Sequence, residues 1–90
     1  MGKSIYTKEY QTFLRCLREA RKKAGLTQTQ LAERIGETQS LISKCERGER
    51  RIDVVELSKF CNAIGISLAE FALQLTAALA KDNAKKGSGK

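Results

Sequence analysis

Proline, histidine and tryptophan are all absent from these 90 residues. Without proline, no residue lacks the backbone N–H that a helix interior needs. The missing histidine removes the commonest metal ligand and general base. Cys16, Cys45 and Cys61 form no CxxC pair, so no zinc site can be completed. Aromatic residues make up 6% of the chain, and valine occurs only at Val54 and Val55, which leaves little to build a sheet from. No run approaches the roughly 18 apolar residues of a membrane span, and no signal peptide is visible. Met1-Gly2 opens like a myristoylation signal, but Tyr6 stands where Ser or Thr is wanted. No acid–base pair falls in an evident pocket, so the expectation is a protein that is not an enzyme and uses no metal or cofactor.

What is present favours helices and an anionic partner. Leu, Ala, Glu, Lys, Arg and Gln dominate, and 41% of residues are hydrophobic, enough for one small core. The three cysteines fall on helical stripes among apolar neighbours, as small core residues of a chain in the reducing cytoplasm. Net charge is +7, from 17 Lys and Arg against 10 Asp and Glu. The sequence pI of about 9.6 lies above the range where nucleic-acid binding becomes a leading reading. Part of the excess is a polar tail, where Lys81, Lys85, Lys86 and Lys90 face one acid, Asp82.

Periodicity and punctuation divide the chain into a lead-in (1–9), one helical domain (10–80) and a basic tail expected to be disordered (81–90). A first helix over 7–24 carries Phe13, Leu14, Leu17, Ala20 and Ala24 on one face and stops at Gly25. Thr27-Gln28-Thr29-Gln30 reads as a capping box opening a second helix that ends at Gly36, with Leu31, Ala32 and Ile35 inward. Thr38 caps a third helix, with Ile42 and Cys45 inward, that ends near Arg47. Asp53 with Glu56 opens a fourth, striped by Val54, Leu57, Phe60, Cys61 and Ile64 and stopped by Gly65. Ser67 with Glu70 opens a fifth that runs to about Ala80, its core stripe being Leu68, Phe71, Ala72, Leu75 and Leu79.

The turn at Gly36-Glu37-Thr38 is too short for antiparallel packing, so the second and third helices cross steeply as a helix-turn-helix over 28–47. Ala32, four residues before Gly36, is small enough to let them approach. The outer face of the third helix then holds Gln39, Ser40, Ser43, Lys44 and Arg47, with no acid among them. Glutamine can pair bidentately with adenine, lysine donates to guanine acceptors, and serine suits either kind of edge. The amide ends of the second and third helices, at Thr27 and Thr38, can meet phosphates. A plain solvated polar face has the same spacing.

The residues Leu26-Thr27-Gln28 with Leu31-Ala32, and Ile42-Ser43-Lys44-Cys45-Glu46-Arg47-Gly48 after them, resemble the Cro/phage-repressor helix-turn-helix family, also called the xenobiotic-response-element (XRE) type. The likeness extends over about residues 13–79. It implies an all-α, five-helix compact domain of the lambda-repressor-like DNA-binding type, with the third helix in the major groove of double-stranded DNA. By the family pattern Gln39, Ser40 and Lys44 read bases, with Ser43 a further candidate. Gln28 sits at a phosphate and is placed to brace Gln39. Arg47, Arg50 and Arg51 clamp the DNA backbone, and Lys22 and Lys23 are weaker candidates. Arg21 and Glu46 resemble a structural ion pair between the first and third helices. Two positions depart from the pattern: Cys45 stands where a larger side chain is frequent, and Leu41 either touches a thymine methyl or shields the helix junction.

One such module buries only about 600–1,000 Å² on DNA, so twofold dimers on palindromic sites are expected. On the fifth helix Ala69, Leu73, Thr76, Ala77 and Ala80 make a second uncharged face, the candidate dimer surface. The leading expectation is a stand-alone transcription regulator, acting as a repressor and as a homodimer. A restriction–modification controller or an antitoxin would look the same in sequence. A protein-interaction module would present an apolar face in place of this polar one.

Overall fold

Five oxygen-bearing side chains decide where the helices start. In the computed structural model the described residues are 7–88, with side chains described through Asn83; expectations that fall on residues 1–6, 89 and 90 lie outside them. Thr7 accepts a hydrogen bond from the Tyr10 amide at 3.1 Å and opens α1 (Lys8–Lys23). The Thr27 hydroxyl accepts from the Gln30 backbone amide at 3.1 Å, while the side-chain Oε1 of Gln30 accepts from the Thr27 backbone amide at 2.9 Å, the full capping box of α2 (Gln28–Ile35). Thr38 opens α3 (Gln39–Glu46) with a 3.1 Å bond from the Leu41 amide. Asp53 and Glu56 make the second capping box, at 2.8 and 3.2 Å, for α4 (Val54–Ile64). Ser67 accepts from the Glu70 amide at 2.9 Å to open α5 (Leu68–Ser88). Among the described residues there is no strand.

Glycine is required where the chain reverses. Gly36 ends α2 at φ +86° and Gly65 ends α4 at φ +101°, the left-handed region that costs other residues about 1–2 kcal/mol. Beyond Gly65, α4 and α5 form a 104° bend. No single helix among the described residues is long and apolar enough to cross a membrane.

The inward faces meet in one core. Leu17, Leu31, Ile42, Cys45, Cys61 and Phe71 are its fully buried side chains, drawn from all five helices. Each large apolar side chain so buried is worth about 1.5–3 kcal/mol. α5 packs along α1, and α2 lies against α3 and α4. All three cysteines are buried and unpaired, and burial pushes each thiol above its usual pKa.

Three expectations need correction. Val54 does not belong to the α4 stripe: it and Val55 are 64% and 62% exposed, because at helical spacing Val54 stands at the edge of the arc that Leu57, Phe60, Cys61 and Ile64 turn to the core. Ala24 and Ala72 are also exposed; on α5 the inward arc is Leu68, Phe71, Leu75, Ala78 and Leu79, and Ala72 lies beyond its edge. Finally, α5 does not stop near Ala80 but continues to Ser88, through positions expected to be a disordered tail. Asp82 supplies a reason: its carboxylate accepts a hydrogen bond from Thr12 and lies 3.6 Å from the Arg15 guanidinium, tying this turn to α1.

Candidate nucleic-acid interface

The α2–α3 junction sets the geometry. The amides of Gly36 and Glu37 both donate to the Ala32 carbonyl, at 2.8 and 2.9 Å, closing α2 in a single tight turn. Ala32 is buried there, as the close approach requires. Ile42, Cys45 and Glu46 anchor the inner side of α3. Its outer side presents Gln39, Ser40, Lys44 and Arg47 to solvent, with Ser43 half-buried. Leu41 is half-buried and packs against the core.

A chain of hydrogen bonds runs from the core to this face. Arg21 and Glu46 are 6% and 4% exposed and pair bidentately, Nε to Oε2 at 2.7 Å and Nη2 to Oε1 at 3.0 Å. The third guanidinium nitrogen donates to the Leu26 carbonyl at 2.8 Å. Gln28 donates its side-chain amide to Glu46 Oε1 at 3.0 Å and accepts from Gln39 Nε2 at 2.7 Å. Because Glu46 accepts only, the amide of Gln28 has one orientation, and that in turn orients Gln39. One N–H and the carbonyl oxygen of Gln39 are left available for another partner. An exposed amide is thereby held by a relay rooted in a buried ion pair.

The cations around α3 are held differently. Arg47 donates to Glu49 at 2.8 and 3.1 Å and to Ser43 Oγ, keeping the Glu49 carboxyl below its usual pKa. Arg50 donates to Glu56 Oε2 at 2.7 Å and reaches Cys45 Sγ at 3.8 Å; the Glu56 bond raises its pKa above the usual arginine value. The guanidinium of Arg51 lies over the Tyr10 ring, 4.8 Å from its centre. Lys44 is exposed on α3, and Lys22 and Lys23 are exposed at the end of α1. Thr27 and Thr38 cap α2 and α3 beside the same surface. On α5, Ala69, Leu73, Thr76, Ala77 and Ala80 are all exposed, Leu73 at 72%.

Sequence reasoning missed four participants. Arg18 donates to the Glu46 carbonyl at 3.5 Å, a cation on the negative end of α3. Glu49 and Glu56 engage the arginines, and Tyr10 touches the loop that carries them. Only Tyr10 had a usable signal: an aromatic ring with a polar tip, three residues before Phe13, at the edge of an apolar face.

The helix-turn-helix family model matches residues 17–71, more than half of the chain. An XRE-family-like protein from Pseudomonas syringae pv. tomato is 45% identical, with a TM-score of 0.75 over 83% of this chain and 92% of that one. The clp gene regulator ClgR from Corynebacterium glutamicum is 24% identical, with a TM-score of 0.78 over 92% and 88%. A point mutant of the restriction–modification controller protein C.Esp1396I is 20% identical, with a TM-score of 0.77 over 82% and 99%, and these last two speak for the fold alone. No curated protein matches. With its two capped helices, its glycine turn and its polar third helix in this register, the chain belongs to the XRE-type helix-turn-helix family of regulatory DNA-binding proteins.

Proposed function

We propose that the chain is a transcription regulator that reads a palindromic operator in double-stranded DNA as a homodimer and represses by occupying it. The observation that carries this reading is the Arg21–Glu46–Gln28–Gln39 relay, which holds a side-chain amide at the first turn of an exposed helix. A glutamine so oriented suits the paired acceptor and donor of adenine in the major groove. Ser40, Ser43 and Lys44 on the same face complete the base-reading set. Thr27, Gln28, Thr38, Arg47, Arg50 and Arg51 surround it as phosphate contacts. Where Arg47 and Arg50 meet DNA, their bonds to Glu49 and Glu56 are exchanged for, or shared with, phosphate oxygens.

The dimer reading rests on α5. Leu73 stands out from a small-residue surface, and the hydroxyl of Thr76 already donates to the Ala72 carbonyl at 2.8 Å, so its proton needs no partner. Three buried, unpaired cysteines suit a chain that works in the reducing cytoplasm, beside the DNA.

Selection of bound sites from random duplex DNA tests the reading. The expected result is enrichment of an inverted repeat whose half-sites lie about 34 Å apart, with affinity falling steeply as salt rises. No enrichment, together with a flat salt response, would overturn DNA reading; an enriched single half-site would overturn the dimer alone.

A further inference from the structure

The loop between α3 and α4 carries Arg50 and Arg51, and it is tied to α1 by one side chain. Tyr10 lies in the first turn of α1, its own amide held by the Thr7 cap at 3.1 Å. Its hydroxyl accepts from the Ile52 amide at 3.2 Å, and its ring lies under the Arg51 guanidinium. Two consecutive loop residues, 41 and 42 positions away in sequence, therefore rest on one phenol. The ring is itself fixed from behind: it tilts against Phe13 with centres 5.2 Å apart, and Phe13 meets the fully buried Phe71 edge-on at 5.9 Å. From the other side, Glu56 holds Arg50 with one carboxylate oxygen and accepts from the Asp53 amide with the other.

We propose that Tyr10 is a positioning residue for DNA backbone contact: it holds Arg51, and the loop around it, in the conformation that meets a phosphate. A guanidinium is planar, so stacking occupies its face and leaves the N–H edge, which is what a phosphate engages. Unstacked, a loop arginine would have to be ordered on binding, at a cost in conformational freedom. The aromatic row from Tyr10 through Phe13 to Phe71 makes the core the reference against which that edge is set. This inference rests on reading Arg50 and Arg51 as phosphate contacts.

The test combines a double-mutant cycle on a selected duplex with solution spectroscopy of the free protein. Tyr10→Leu should weaken binding to all duplexes alike, about three- to tenfold from the loss of one stacked cation and one hydrogen bond. In an Arg51→Ala background the same substitution should cost less than half as much. Tyr10→Phe keeps the ring and removes only the acceptor, so it should fall between wild type and Tyr10→Leu while leaving the helices intact. In the free protein Tyr10→Phe should speed hydrogen exchange at the Ile52 amide, and Tyr10→Leu should abolish ring-current shifts of the Arg51 side-chain protons. Losses that simply multiply across the cycle, or an Ile52 amide indifferent to the hydroxyl, overturn the proposal. If Tyr10→Leu does not fold, the same cycle with Tyr10→Phe decides it. Should the wild-type protein bind no duplex, the reading of the arginines fails, and the exchange and ring-current measurements still judge whether Tyr10 sets the loop.

Discussion

At the scale of single residues, base contact and backbone contact are separable by how they fail. Gln39→Ala removes the amide that the relay orients, and it should cost about 1–3 kcal/mol while relaxing preference at one base position. Arg50→Ala should weaken every duplex alike and flatten the salt slope by about 1. Affinities of both variants on a selected duplex and on single-base variants of it, across salt, check this; equal scaling on all sites would remove Gln39 from base reading. The buried pair offers a sharper case. Arg21→Met leaves Glu46 without its cation at 4% exposure, and the expected loss is about 3–5 kcal/mol, a large fraction of a small domain's stability. Replacing both, as Arg21→Met with Glu46→Leu, should restore most of that stability, since well-packed apolar pairs often match a buried ion pair. Yet Gln28 would then lack its acceptor, so the double variant should fold and still discriminate poorly at the base position proposed for Gln39. Urea titration and site selection on the same samples separate the two effects.

At the scale of the helices, much was legible because capping chemistry is local. Each of the five starts is announced within four residues by Thr, Ser or Asp, and the left-handed stops at Gly36 and Gly65 follow from glycine alone. Gly36 has open space where a Cβ would sit, so substitution there is a question of backbone angle and not of crowding. Gly36→Ala should therefore cost about 1–2 kcal/mol, and Gly36→Asn less, since asparagine visits the left-handed region more readily; a denaturant midpoint that does not move for alanine would contradict this. What could not be read locally depends on distant partners. The length of α5 is one example, because Asp82 meets Thr12 some 70 positions away. The exposure of Val54 is another: the periodicity of α4 is sound, but it cannot say where the edge of the buried arc falls. Tyr10 is a third: its polar tip beside Phe13 marks the ring, but its partner is set only when the α3–α4 loop folds onto it. The identity of the candidate reading face, by contrast, follows from the short turn and the polar side of α3.

For the whole molecule, α5 decides how two copies are spaced in the proposed dimer. The proposed dimer places Leu73, 72% exposed, near the axis, where burial on association is worth about 1.5–3 kcal/mol for each copy. Leu73→Glu should put like charges across that axis and dissociate the dimer while leaving the monomer helical. Sedimentation of both forms at matched concentration, with circular dichroism, reads the result; a monomeric parent or a mutant that remains dimeric would exclude α5 as the interface. Such a dimer would set its half-site spacing through α5 and its base preference through α3, so the two could change independently. The core side of α3 gives this division an evolutionary meaning. Ile42, Cys45 and Glu46 hold the helix, whereas Ser40 and Lys44 are exposed and Ser43 is only half-buried. Drift at these three positions would leave the fold nearly untouched, while Gln39 is tethered through Gln28 to the interior and is less free to vary. If these positions read bases as proposed, a lineage built on this scaffold would acquire new operators by small steps, each intermediate remaining a folded protein.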